Sequence, residues 1–406
     1  MYRVPSSIYQ IPRRAFSLAP NVPKAPAPFR IGFPDSGVGG IFFMIKAMEH
    51  LTDFILNSES KYNVAISGIH LADSANFPYG AHAPSKIQRF TQDAVGYLFE
   101  SEKCQVVSVA CNTASSITEP DPHPFNLVNQ NVIFPIRRSA EYIYSKRQFK
   151  PNGPTWEFHF ALFSTPTTAT SNLYPDHLAK LHSREFGPKS ITIALPADNN
   201  LNMPRIYRGI HALDHGSSDE IHAISEIQNK ASSSPVQYLH IFAPSRWAKM
   251  IERSDSSIGE EVHNDLNKMT LNVPRRHLQR LSGAALCCTH FMTIDRSLRE
   301  WLWRNDLLSV PIINPAEYIA EKALLPTISS ILNREYEERD RPIPINQILP
   351  IKLYSKSTIA PGTNPETTLA RMKKAADTFS PGAAKTIDFS AIQQYNITKF
   401  KKRAHA

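Results

Sequence analysis

Residues 29–40 read FRIGFPDSGVGG, and this stretch decides the fold class. Its first half is typical of a short buried strand, and the glycines after Asp35 predict a tight turn. Apolar residues then recur at helical spacing, at Ile41, Met44, Ile45, Met48 and Leu51. A strand, a glycine-rich turn and a helix in this order indicate an α/β fold, in which ligands bind beyond the carboxyl ends of the strands.

The alternation of strands and helices continues along the chain. We predict strands at 64–71 and 106–110, with a helix at about 84–100 between them, and the second strand stops at Cys111. After residue 135 the pattern restarts with strands at 158–163, 190–195 and 283–286, the last ending at Cys287 and Cys288. The order predicts two similar α/β lobes with mainly parallel sheets and an active site in the cleft between them.

The chain divides as follows. We predict a disordered leader (1–28), a first lobe (29–136 and 303–390), a second lobe (137–302) with an elaboration at about 197–262, and a basic tail (391–406). Within the last part of the first lobe, strands are predicted at 351–354 and 385–389. Between them, Asn364 and Pro365 have the residue types of a helix cap and first turn.

The net charge of +9 lies at the two ends of the chain. Residues 1–30 contribute +5 and residues 351–406 contribute +7, so residues 31–350 carry a net −3. A nucleic-acid-binding domain more often has a basic face on its folded body, and no apolar run is long enough to span a bilayer. We therefore expect neither a nucleic-acid partner nor a membrane one.

Only four cysteines occur, at positions 104, 111, 287 and 288, too few for a disulfide scaffold. Free thiols in a reducing compartment follow, and the cytoplasm is the simplest location. Residues 1–28 are free of acids and contain Arg, Ser and Pro, which leaves two alternatives: a disordered leader or an organellar targeting segment.

Two features of the sequence indicate a chemical function: a glycine-rich turn and a pair of cysteines at strand ends. The glycine-rich turn after Asp35 can hold an anion on its amides or can be a structural turn, and it lacks the spacing of a P-loop or a dinucleotide site. Cys111 and Cys288 each follow a strand and precede small polar residues, a position that favours a thiolate. Cys104 and Cys287 have no such position, and we interpret them as packing residues.

These segments and two others resemble motifs of the bacterial glutamate racemases. The matching segments, in family order, are residues 31–40 (IGFPDSGVGG), 73–80 (DSANFPYG), 110–114 (ACNTA), 165–174 (with Thr165, Thr168, Ser171 and Tyr174), 288–290 (CTH) and 311–317 (PIINPAE). The resemblance covers about residues 29–325 and extends loosely to 390.

The resemblance implies interconversion of L- and D-glutamate, supplying D-glutamate for peptidoglycan, with no cofactor and no metal. Cys111 would take the proton from the D-enantiomer and Cys288 from the L-enantiomer, supported by Asp35 and His290 respectively. A base on one face and an acid on the other are what such an inversion needs. The residues that would bind substrate are Asp35, Ser36, Tyr79, Gly80, Asn112, Thr113, Thr165, Thr168, Thr289 and His290.

The chain departs from the family pattern at Pro34, where Phe is usual, and at Cys287, where Gly is usual. The family's second-lobe acid has no counterpart a few residues past Leu195, and Asp198 and Asp214 are poor substitutes. Two alternatives therefore stay open: a racemase for aspartate or another acidic amino acid, and a non-catalytic binding protein. A homodimer is also compatible with the resemblance.

Overall fold

The computed structural model describes residues 28–57, 66–120, 131–147, 157–197, 205–208, 211–213, 235–337 and 352–393. The predicted leader at 1–27 and most of the predicted tail lie outside these residues. Within them, no helix is long and apolar enough to cross a membrane.

The strands follow one another along both lobes. They are β1 (Phe29–Asp35), β2 (Ile66–Ala72), β3 (Val106–Ser108), β4 (Asn131–Ile133), β5 (Glu157–Ser164), β6 (Ile191–Pro196), β7 (Arg205–Arg208), β8 (His211–Leu213), β9 (Val236–Phe242), β10 (Leu281–Cys287), β11 (Ile312–Ile313), β12 (Lys352–Ile359) and β13 (Ile387–Gln393).

Helices separate most of these strands. They are α1 (Gly39–Asn57), α2 (Pro84–Glu100), α3 (Asn112–Thr118), α4 (Pro135–Ser145), α5 (Pro166–Thr170), α6 (Leu173–Phe186), α7 (Trp247–Glu252), α8 (Ile258–Thr270), α9 (Arg275–Leu278), α10 (Asp295–Arg304), α11 (Pro315–Ile319), α12 (Leu325–Glu337), α13 (Pro365–Phe379) and α14 (Ala383–Thr386). Short 3-10 turns occupy Ser74–Asn76, Tyr79–Ala81 and Thr289–Ile294, and a π turn occupies Ala320–Leu324.

The strands form two sheets, which confirms the predicted α/β fold class. The first sheet has the order β13-β12-β2-β1-β3-β4, and all its neighbouring pairs are parallel. The second has the order β11-β10-β5-β9-β6-β7-β8, parallel except for the pairs β6–β7 and β7–β8. Strands such as β2, β9 and β10 are buried along their whole length, as expected where helices cover both faces of a parallel sheet.

Three predicted boundaries differ from the structure. β9 lies between β5 and β6 in the middle of the second sheet, so residues 236–262 belong to the lobe and are not an elaboration. β11 pairs with β10, so the chain returns to the first lobe after Ile313 and not at 303. β13 extends to Gln393, three residues into the predicted tail. A strand as short as β11 shows no alternation that a sequence pattern can detect.

The hydrophobic core is continuous between the lobes. Side chains of α1 share one buried cluster with Phe163 and Phe242 of the second sheet and with Phe291 of the 3-10 turn. The Phe163 and Phe242 rings stack with their centroids 4.8 Å apart. The shared core fixes the position of one lobe against the other, and therefore the geometry of the cleft.

The predicted helix near the C-terminus of the described chain is confirmed. α13 begins at Pro365, and the Asn364 side chain accepts a 2.8 Å hydrogen bond from the Glu366 amide. Met372 and Ala376 are buried, so the helix packs its apolar face onto the body. β12, α13 and β13 therefore belong to the folded first lobe.

Candidate active site

A cavity of about 250 Å³ opens between the lobes. Its lining residues come from turns that follow β1, β2, β3, β5, β9 and β10. They are Ser36, Phe77, Pro78, Tyr79, Gly80, Ala81, Cys111, Asn112, Thr113, Thr165, Pro166, Thr167, Pro244, Ser245, Ala248, Lys249, Cys288, Thr289 and His290. The cavity therefore brings together ten of the twelve residues that the sequence predicted; the other two, Asp35 and Thr168, lie behind its wall.

Cys111 caps the N-terminus of α3. Its Sγ accepts a 3.4 Å hydrogen bond from the Ala114 amide, and its thiol lies 3.7 Å from Ser36 Oγ, to which it donates. Burial, and then the negative charge of Asp35, raise the pKa of Cys111 to about 12. The expectation that the helix start favours a thiolate here was wrong, because loss of water outweighs one amide hydrogen bond.

Cys288 has a different electrostatic setting. It lies in extended backbone at the start of the turn Thr289–Ile294, and its side chain is paired with His290. Burial alone would lower the pKa of His290, but its hydrogen bonds to Cys288 and Glu252, and their negative charges, raise that pKa to about 10. The raised pKa favours the protonated imidazole of His290 beside Cys288, and its supporting role in catalysis stays a prediction.

Glu252 is the site residue that sequence reasoning missed. It lies at the end of α7 and is 2% exposed. Its Oε2 accepts hydrogen bonds from His290 Nε2 (3.0 Å) and from the Val38 amide (2.8 Å), while Oε1 lies 3.4 Å from Arg371 Nη2. No acid lies at the expected spacing past Leu195, as the sequence analysis stated, but Glu252 provides a second-lobe carboxylate from a later helix. The apolar run of β9, followed by α7, was the signal that could have located it.

The glycine-rich turn holds this carboxylate. The Val38 amide donates to Glu252, so the anion on the turn is a side chain of the protein. A Cβ at Gly37 would lie 2.4 Å from Glu252 Oε2, and one at Gly39 would lie 2.5 Å from His290 Nδ1. Glycine is required at both positions because the second lobe approaches this backbone so closely.

Asp35 supports the site from behind the cavity wall. Its Oδ1 accepts a hydrogen bond from the Gly37 amide (2.9 Å), and its Oδ2 accepts one from Thr289 Oγ1 (3.0 Å). Burial raises its pKa to about 6, although His290 acts in the opposite direction. The predicted contact of Asp35 with substrate is not supported by this position; it holds Thr289 and acts on Cys111 through its charge.

A chain of hydroxyl groups connects the lobes on the other side of the cavity. Thr113 Oγ1 lies 2.9 Å from Thr165 Oγ1, which lies 3.0 Å from Thr168 Oγ1. Thr168 does not line the cavity, so the predicted substrate contact at this residue is replaced by support of Thr165. Asn112 is held by the Tyr174 hydroxyl, which donates to its Oδ1 at 2.7 Å.

The remaining cysteines, Cys104 in the loop before β3 and Cys287 in β10, are buried. Cys287 belongs to β10 and is fully buried, and Cys104 is 6% exposed. All four cysteines are free thiols. Their positions are those of packing residues, as the sequence indicated.

The chain was then compared with known proteins. No protein-family model matches it. The glutamate racemase of Ruegeria pomeroyi is 31% identical over 157 residues, which are 37% of this chain and 52% of that relative. The chain is similar to glutamate racemases. It spans about half the length of the curated relatives it matches.

Solved glutamate racemases share the fold. Isoform RacE1 from Bacillus anthracis gives a TM-score of 0.54 at 18% identity, covering 90% of this chain and 98% of that one. The glutamate racemase from Francisella tularensis, solved in complex with D-glutamate, gives 0.50 at 15% identity, covering 90% and 97%. The two-lobed fold of these racemases therefore covers 90% of this chain.

Proposed function

We propose that the protein racemises glutamate without a cofactor, using Cys111 and Cys288 as the two acid/base groups. The observation that carries the proposal is that these two thiols line one cavity and have charged partners of opposite sign. Racemisation needs a base on one face of the α-carbon and an acid on the other. A thiol beside a carboxylate and a thiol beside an imidazolium supply this pair.

The groups beside each thiol indicate which thiol is the base and which is the acid before substrate binds. The Cys288 side chain is paired with His290, so we assign Cys288 as the base that removes the α-proton of L-glutamate. Burial and Asp35 keep Cys111 protonated, so Cys111 delivers its proton to the opposite face. After turnover the two thiols have exchanged protonation states, which is the state needed to attack D-glutamate.

The carbanion formed between these steps needs fixed donors near the α-carboxylate. Ser36, Asn112, Thr113 and Thr289 line the cavity between the two thiols' turns and offer hydroxyl, amide and backbone N–H groups. Lys249, exposed where α7 meets the cavity, adds a positive charge for the second carboxylate. The glutamate bound in the Francisella tularensis relative supports a substrate of this class.

Turnover assays with the L- and D-forms of glutamate and of aspartate test the proposal. We expect interconversion of the glutamate enantiomers to a 1:1 mixture, without added pyridoxal phosphate or metal. Faster conversion of aspartate would show that aspartate, and not glutamate, is the substrate. No conversion of either pair would favour a binding protein that has kept the cleft.

The biological role follows from the resemblance rather than from the geometry. We propose that the product serves as the D-glutamate of peptidoglycan and that the reaction takes place in the cytoplasm. Isotope labelling tests this role: label from L-glutamate is expected in peptidoglycan D-glutamate and is expected to disappear when Cys111 is replaced in the cell.

A further inference from the structure

Three buried histidines meet in the second lobe, outside the cavity. His159 lies on β5, His240 on β9 and His277 on α9. One ring nitrogen from each lies within 4.8 Å of those of the other two, and His159 Nδ1 is 3.3 Å from His240 Nε2. Two neighbouring strands and a helix are thus joined at one point by three imidazole groups.

The cluster is distant from the active site. β5 begins at Glu157 and reaches the cavity only at Thr165, six residues beyond His159. At the rise of an extended strand, this separation is about 20 Å. His240 is nearer, four residues before Pro244 of the lining, or about 13 Å along β9. A ligand of the cluster would therefore not touch the reacting groups, and its effect would be on the lobe that carries Cys288.

Aromatic packing accounts for the burial of the imidazole rings, but it does not provide hydrogen-bond partners for their nitrogen atoms. His159 stacks on Tyr238, with centroids 4.6 Å apart and planes 10° apart. Among the residues that the structure describes, however, nothing hydrogen-bonds Nδ1 of His240 or Nδ1 of His277. His240 is fully buried and His277 is 7% exposed. Buried polar atoms without a partner are rare and destabilising. A metal between His159 Nδ1 and His240 Nε2 would not reach His240 Nδ1, so the atom that needs a ligand at this point is His277 Nδ1.

We propose that His159, His240 and His277 form a structural site for a divalent transition metal, with Zn²⁺ as the first candidate. Three imidazole nitrogens without a carboxylate suit Zn²⁺ and its neighbours and not Mg²⁺ or Ca²⁺. Zn²⁺ binds imidazole nitrogen at about 2.0–2.1 Å, so two ligands of a tetrahedral site lie about 3.4 Å apart. The 3.3 Å between His159 and His240 fits this spacing.

A carboxylate stands behind one of these ligands. Glu157 Oε2 lies 3.6 Å from His159 Nε2, on the ring nitrogen that does not face His240. Metal-binding histidines commonly have a carboxylate at the second ring nitrogen, which orients the ring and raises its basicity. Glu157 is itself paired with Arg280, which begins the chain leading into β10. The metal would thus connect β5, β9 and the segment before β10.

Zinc binding to the full-length protein tests the site. Cys111 and Cys288 can also bind zinc, so the measurement uses the Cys111→Ala/Cys288→Ala protein after removal of metal by a chelator. We expect one Zn²⁺ per chain by calorimetry, nitrogen ligands at about 2.0–2.1 Å by X-ray absorption, and a higher melting temperature. Absence of binding would overturn the proposal, as would ligation by oxygen alone.

Two variants locate the metal within the fold. His277→Gln removes one ligand and should weaken zinc binding by about 100-fold or more, since even loss of an outer partner costs 10- to 100-fold. His182→Gln is the matched control, because His182 is also fully buried in this lobe but lies outside the cluster. Equal affinity in the two variants would contradict the proposal. If His277→Gln does not fold, the X-ray absorption result decides.

Discussion

Cys111 and Cys288 occupy matched positions in the sequence but opposite electrostatic settings in the structure. Each follows a strand and precedes a short helical segment. Cys111 lies beside Ser36. Burial, and then the negative charge of Asp35, raise its pKa to about 12. Cys288 is paired with His290, whose pKa is raised to about 10 by Cys288 and Glu252 against the effect of burial.

The difference shows that a thiol's role is decided by residues far from it in the chain. Asp35 precedes Cys111 by 76 positions, and Glu252 reaches Cys288 only through His290. Two thiols at matched positions in the sequence thus have different surroundings, and in the proposed mechanism one is the acid and the other the base. The predictions below test that asymmetry, from the largest expected effect to the smallest.

Removing either thiol should stop racemisation. Serine is a far weaker acid and base than cysteine, and a positioned acid/base group contributes about 10²- to 10⁴-fold. We expect Cys111→Ser and Cys288→Ser each to lower kcat/KM by about 10³-fold, measured by circular dichroism of the amino acid. Cys104→Ser and Cys287→Ala are the controls and should keep most activity. Full activity in either serine variant would refute the two-thiol mechanism.

Glu252→Gln should impair the Cys288 side alone. Without the carboxylate, the pKa of His290 falls and its charge beside Cys288 is lost at a lower pH. We expect about a 100-fold loss in kcat/KM, equal for the two enantiomers because their equilibrium mixture is 1:1, with the alkaline limb of the pH profile moved to lower pH. Glu261→Gln, at an ion pair with Arg246 on the neighbouring helix, is the matched control. An unchanged pH profile in Glu252→Gln would show that Glu252 does not control the charge of His290.

The sequence predicted the two lobes from alternating strands and helices, and it placed Cys111 and Cys288 at strand ends that meet in one cavity. The role of His290 came from the family resemblance, and all three catalytic roles stay predictions. The sequence missed Glu252, since the contact between α7 and the glycine-rich turn joins residues 214 positions apart. It also misjudged Cys111, because the pKa of a buried thiol depends on how much water the second lobe excludes. Asp35 and Thr168 were found, but whether a side chain faces the cavity or supports a neighbour depends on tertiary packing.

The charge on His290 should make stability depend on pH. Its pKa is raised from 6.5 to about 10 on folding, so its contribution is fully present below about pH 6.5 and is lost as pH rises towards 10. We expect His290→Gln to lower the free energy of unfolding most near pH 6.5, with a smaller difference from wild type at pH 10. Urea unfolding of both proteins measures this. A difference that stays constant with pH would mean that His290 is uncharged.

Arg371 should have the smallest effect. Its Nη2 lies 3.4 Å from Glu252 Oε1 and its side chain is one-third exposed, so solvent screens the pair. Such pairs contribute about 0–1 kcal/mol. We expect Arg371→Gln to change kcat/KM less than about fivefold, with Lys373→Gln on the same helix as control. A loss as large as that of Glu252→Gln would make α13 part of the catalytic machinery.

Exchange of the α-hydrogen in heavy water tests the two-thiol account most directly, because it follows each face of the substrate separately. Each enantiomer of glutamate is incubated with the two serine variants, and deuterium at the α-carbon is measured by NMR. The account predicts that Cys288→Ser loses exchange on L-glutamate and keeps it on D-glutamate, slowly at neutral pH because Cys111 is then largely protonated, and that Cys111→Ser does the reverse. Equal exchange on both enantiomers in either variant would contradict it.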